Sequence, residues 1–148
     1  MNYKQEFNAL KKYAKMKSEE DIKLFDIMVY ELAKTQDLGV FERLIDIFDD
    51  ECEFPEVMYS LIHAIATYPC KQYVLGILSK VNDYYKYVEW FKIIIYGILN
   101  SEKYLEVFKH NIHLANQDKL LKLLNIMHKE SEDHHLIIEE LRNLIVKN

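Results

Sequence analysis

The stretch Ser18-Glu19-Glu20-Asp21-Ile22-Lys23-Leu24-Phe25-Asp26-Ile27-Met28-Val29-Tyr30-Glu31-Leu32-Ala33-Lys34-Thr35 decides the fold class. It opens like a capping box, with a Ser followed three residues later by an acid. Ile22, Phe25, Val29 and Leu32 then fall at i, i+3, i+7 and i+10, which is one face of an α-helix and not the alternation of a strand. The spacing predicts a helix over about 19–35.

The same signals recur on both sides. Upstream, about 2–16 places Phe7, Leu10 and Ala14 on one side of an N-terminal helix held within 1–17. Downstream, Gln36-Asp37 punctuates, and a third helix over about 38–49 buries Phe41, Leu44, Ile45 and Phe48. Pro55 suits the first turn of a fourth helix, where its missing N–H costs nothing. Val57, Leu61, Ala64, Ile65 and Tyr68 form that helix's inner face. Pro69 ends it and can open a fifth, about 69–80. Asn82, Ser101, Asn116 and Ser131 read as caps of four more helices, about 83–99, 102–114, 117–129 and 132–146. Val74–Leu78 has strand-like residues but lies inside a helical window.

No strand is expected, and the fold class is all-α. Helix starts near 19, 38, 55, 69, 83, 102, 117 and 132 pair into four stacked hairpins. The hairpins begin 36, 28 and 34 residues apart along the sequence. Irregular spacing of that length fits a short HEAT-like α-solenoid or an irregular helical bundle.

A chain of 148 residues predicts one domain over 1–148, able to bury roughly 68–70% of its unfolded surface. Half of it is hydrophobic and 13% is aromatic, which argues against disorder. Three Gly and two Pro leave long elements with short joints. The two cysteines, Cys52 and Cys70, form no CxxC and read as reduced thiols. The stretch from Met1 to Phe7 lacks the apolar core of a signal peptide. The longest run free of Asp, Glu, Lys and Arg, Val57–Cys70, is too short and polar to span a bilayer. A cytoplasmic, non-membrane protein is expected.

Charge is strongly one-sided. Between Ser18 and Val57 there are thirteen acidic residues and three basic ones, in a chain whose net charge is -5. The acid peaks at Asp46, Asp49, Asp50, Glu51, Glu53 and Glu56, with no cation among them. Such a run is often only a solvated loop. Its functional reading is a docking face for a Lys- or Arg-rich protein, because clustered carboxylates attract cations and speed encounter. Calcium is disfavoured, since the EF-hand spacing and its central Gly are absent.

A second candidate surface is aromatic. Tyr84, Tyr85, Tyr87 and Trp90 crowd one helix, and some of these rings are expected at the surface as interface anchors. Trp90 is the weakest of the four, because Val88, Phe91, Ile95 and Ile98 define the inner face. The competing reading is a central helix buried on most sides. Acidic net charge disfavours stacking nucleic acid on these rings.

Chemistry finds no footing. His110 and His113 lie three apart, and His134 and His135 are adjacent, whereas a helical zinc pair uses i, i+4 with a third ligand. His63 sits among apolar residues and reads as a core or boundary residue. No Cys–His signature marks a nucleophile, and carboxylate pairs occur on every acidic helix. No metal, cofactor or enzymatic activity is expected. A general HEAT-like adaptor or regulatory subunit is the bland binding class.

One segment carries a family resemblance. In Leu44-Ile45-Asp46-Ile47-Phe48-Asp49-Asp50-Glu51-Cys52-Glu53-Phe54-Pro55-Glu56-Val57-Met58-Tyr59-Ser60-Leu61-Ile62-His63-Ala64-Ile65, a helix ends in an Ile-x-x-Phe-Asp-Asp element. A short polar joint leads to a helix carrying Glu-Val-Met and Ser-Leu-Ile-His. This resembles the all-α immunity proteins encoded beside bacterial polymorphic toxins, in the immunity protein thirty family. The resemblance implies an inhibitor that occludes a cognate toxin domain without performing chemistry. Asp49 and Asp50 match the motif, where they either touch the toxin or brace the helical joint.

Overall fold

The computed structural model describes residues 3–15 and 18–146, with Val146 by its backbone alone. Helices dominate, and there is no strand among the described residues. The chain divides into two compact units, Met1–Pro69 and Cys70–Asn148.

The first unit holds α1 (Lys4–Tyr13), α2 (Glu19–Lys34), α3 (Leu38–Ile45) and α4 (Pro55–Ile65). The expected outer ends of α1, at Asn2 and Met16, lie outside the described residues. Ser18 caps α2 as its sequence predicts, its Oγ accepting from the Asp21 N–H at 3.2 Å. Phe25, Val29 and Leu32 are buried and Ile22 half-buried, so the stripe read from the sequence is the packing face. That face lets α2 pack on both α1 and α4, and α3 touches α2 and α4. Each fully buried Leu, Val or Phe contributes about 1.5–3 kcal/mol over its exposed state.

The α2–α3 joint is tightly built. Gln36 takes a left-handed backbone, φ 54, and its N–H donates to the Ala33 carbonyl at 3.0 Å. Asp37 then caps α3, accepting from the Val40 N–H at 3.1 Å. Tyr68 locks this joint to the end of α4: its hydroxyl donates to the Asp37 carbonyl at 2.8 Å, and its ring meets Phe41 edge-on at 4.9 Å.

Burial, above all, pushes the Tyr68 hydroxyl up to about 12 from an ordinary 10.0. The folded state then holds a proton that the unfolded chain releases near pH 10. This contribution is complete below pH 10 and is lost as pH rises through about 12. A Tyr68→Phe variant should lose about 1 kcal/mol at neutral pH, the worth of one hydrogen bond. It should also show a shallower decline in stability between pH 10 and 12, measured by urea unfolding; an unaltered alkaline slope would contradict this.

The second unit holds α5 (Cys70–Lys80), a 3₁₀ segment Val81–Tyr87, α6 (Val88–Leu99), α7 (Glu102–Asn111), a 3₁₀ turn Ile112–Leu114, α8 (Gln117–Glu130), a 3₁₀ turn Glu132–His134 and α9 (His135–Val146). Helix α7 packs on α5 and α6, α8 pairs with α9, and the first 3₁₀ segment contacts α5, α6 and α8. The caps at Ser101 and Asn116 form as expected, accepting from the N–H groups of Tyr104 at 3.5 Å and Lys119 at 3.0 Å.

Several boundaries differ from expectation, among them the ends of α4 at Ile65 and of α7 at Asn111. Helix α3 stops at Ile45, a turn before Asp49, because Ile47 and Phe48 bond back three residues to Leu44 and Ile45 at 3.1 Å each. Asn82 does not cap α6, which starts at Val88. The chain there runs at three residues per turn, which lines Val81, Tyr84 and Tyr87 along one buried edge. Ser131 does not cap α9 directly; its Oγ meets His134 Nδ1 at 2.7 Å across the 3₁₀ turn.

Lys92 is a buried cation on α6. Its ammonium reaches both Glu130 carboxylate oxygens at 2.8 Å and Glu89 at 3.1 Å. The packing matters more than the charge at such a site. Lys92→Met should therefore change stability by less than about 1.5 kcal/mol, whereas Lys92→Ala should cost more. Equal thermal midpoints for the two variants would refute the packing argument.

Candidate functional site

The acidic loop follows from how α3 ends. Ile47 and Phe48 are buried and pin the loop to unit 1, while Asp46 and Asp49 point to solvent. Asp49 turns the chain: its Oδ1 accepts from the Glu51 N–H at 2.9 Å, and its carbonyl from the Cys52 N–H at 3.2 Å. Pro55 opens α4 in its first turn, as its fixed φ and missing N–H favour. Glu56 sits in that first turn too, where the helix dipole favours an anion.

Asp46, Asp49, Glu51, Glu53 and Glu56 are exposed and Asp50 is half-buried. Four of them, Asp46, Asp49, Glu51 and Glu53, line an open cleft of about 580 Å³ with Phe48, Phe54 and Met58. Lys11 and Lys15 of α1 line the same cleft. Sequence reasoning missed this basic wall. Its only signal was the i, i+4 spacing of the two lysines, which places them on one helix face.

Asp46 occupies the C-cap of α3, the negative end of the helix dipole, where a carboxylate is electrostatically unfavourable. The charge asymmetry belongs to unit 1, which carries fourteen acidic and eight basic residues. Unit 2 is close to balanced, with ten and eleven.

The aromatic surface narrows to one ring. Tyr84, Tyr87 and Trp90 are buried, and of the four rings only Tyr85 is exposed, at 58%. Positions 81, 84 and 87 recur every third residue, so the 3₁₀ segment carries them to the interior, and Trp90 is buried on the first turn of α6. Tyr85 itself stacks edge-on with Tyr84 and lies under the Lys119 ammonium at 5.2 Å.

His63 is exposed, because it lies off the α4 stripe of Val57, Leu61, Ala64 and Ile65. Three others, His128, His134 and His135, gather at the joint between α8 and α9. His134 joins Ser131 Oγ to Asn100 Oδ1 at 2.7 Å each, and the rings of His128 and His135 stack at 4.1 Å. Cys52 and Cys70 are free and half-buried. Among the described residues, no group of three or more His, Cys, Asp or Glu is placed to hold a metal ion. Nor is any helix there long and apolar enough to cross a membrane.

No curated protein and no solved structure matches the chain. The sequence model described as Immunity protein 30 does match, over residues 12–108. The match runs from the last turn of α1 into α7 and contains the whole acidic loop; α8 and α9 lie beyond it. It covers about two thirds of the 148 residues, and the chain belongs to the Immunity protein 30 family.

Proposed function

We propose that this chain binds and neutralises a cognate toxin domain by occlusion, in the cytoplasm of the producing cell and without performing chemistry. Family membership over residues 12–108 carries the reading. The acidic loop supports a basic toxin surface as the counterpart. Five of its six carboxylates are exposed, in a unit whose charge is net acidic. Nuclease toxins are basic because they bind phosphate backbones, and an acidic inhibitor competes for that surface. The packing of α2 on α4 and of α5 on α7 supports stacked helical hairpins as the scaffold.

The test is co-expression with the toxin domain encoded beside the gene. Immunity requires that cells producing both grow, that cells producing the toxin alone die, and that the two proteins co-purify. Growth arrest despite soluble inhibitor, or co-purification with an unrelated enzyme complex, would favour the adaptor class instead.

A further inference from the structure

Resting on that reading, we propose that a second contact surface lies at the other end of α1, in a groove that takes an apolar side chain flanked by Lys or Arg from a basic amphipathic segment of the toxin. The groove is an open cleft of about 320 Å³ in unit 1. Tyr3 at the start of α1 and Leu24, Ile27, Met28 and Leu32 of α2 form its apolar lining. Ile27 is 61% exposed, although it stands mid-helix on an element whose opposite face is core. One exposed Ile needs no explanation, but one set in a continuous apolar trough is an anchor site in search of a partner.

Charge selects the occupant. Glu6 and Glu31, both exposed, also line the groove. Glu31 pairs with Lys34 at 3.0 Å, but both side chains are more than half exposed, so the pair is weak and exchangeable. The whole unit is acidic, fourteen residues against eight. An apolar side chain with basic neighbours therefore satisfies both lining and rim, whereas an acidic amphipathic segment is repelled. The groove and the acidic cleft use opposite ends of α1, from Tyr3 to Ala14, roughly 16 Å apart at 1.5 Å per residue. One helical segment of a toxin can span that distance.

The probe is an amphipathic peptide of about 16 residues built of Leu and Lys, set against a Leu/Glu peptide with the same apolar face. Methyl NMR on the full chain should show saturable shifts at Leu24, Ile27 and Met28 with the Leu/Lys peptide and none with the Leu/Glu peptide. Ile27→Lys should weaken the Leu/Lys peptide about tenfold or more while leaving the thermal midpoint in place, since the residue is exposed. Equal binding of both peptides, absent shifts, or undiminished affinity in Ile27→Lys would overturn the proposal. Self-association of the wild type that Ile27→Lys abolishes would overturn it as well, by making a second copy the occupant. A parallel arm uses the neighbouring toxin domain. If it binds wild type and Ile27→Lys equally, the groove is refuted and the immunity reading stands. If it does not bind wild type at all, the immunity reading itself fails.

Discussion

Replacing Phe41 by Ala is expected to cost about 3–5 kcal/mol, enough to unfold much of a marginally stable chain at growth temperature. Phe41 is fully buried on α3, and its ring receives Tyr68 edge-on at 4.9 Å. The truncation leaves a cavity and also loosens Tyr68, whose hydroxyl holds the Asp37 carbonyl at the start of α3. The loss should exceed that of Tyr68→Phe several-fold, because the latter removes one hydrogen bond and leaves the packing. Urea unfolding followed by circular dichroism measures both. A Phe41→Ala cost no larger than that of Tyr68→Phe would mean that α3 contributes little to unit 1.

The second large effect concerns encounter with the toxin. The combined variant Asp49→Asn, Asp50→Asn, Glu51→Gln, Glu53→Gln should slow association about tenfold or more at low salt, because steered encounters gain one to three orders of magnitude. Its folding should survive, since an Asn at 49 still offers an oxygen to the Glu51 N–H. The wild-type rate should fall as salt rises and the Debye length shrinks to about 8 Å, while the variant should be nearly indifferent to salt. Lys11 and Lys15 line the same cleft, so removing the acid leaves it with no net negative charge to draw the partner in. Lys11→Gln with Lys15→Gln should have the opposite effect and accelerate association. A four-fold variant with unchanged rate, salt dependence and protection would take the acidic loop out of the mechanism and leave the immunity role intact.

The helical fold was legible in the sequence wherever a local rule met no competitor. Ser18, Ser101 and Asn116 cap the helices they precede, and the stripes of α2, α3 and α4 are core. Asn82 and Ser131 carry the same cap chemistry and do not cap α6 and α9. Aromatic burial at every third position holds the chain between Val81 and Tyr87 in a tighter winding, a tertiary effect with no local signature. The same winding holds Tyr84 and Tyr87 inside, and Trp90 is buried on the first turn of α6.

The candidate site was half legible. Its carboxylates stand in one run, but Lys11 and Lys15 come beside them only through the packing of α1. Ile27 and Met28 sit off the α2 stripe and look like noise until Tyr3 and Leu32 complete a groove around them.

The segment Val81–Tyr87 also sets a length and an angle. Rewound as α-helix it would rise about 1.5 Å per residue in place of 2.0, shortening by roughly 3.5 Å over its seven residues. Its far end would turn by roughly 140°, because each residue would advance about 100° in place of 120°. Tyr84 and Tyr87 would swing out of the interior, and α6 would present a different face to α7. The burial of two phenol rings thus acts as a phase lock, fixing the rotational setting of α6 as a key fixes a shaft.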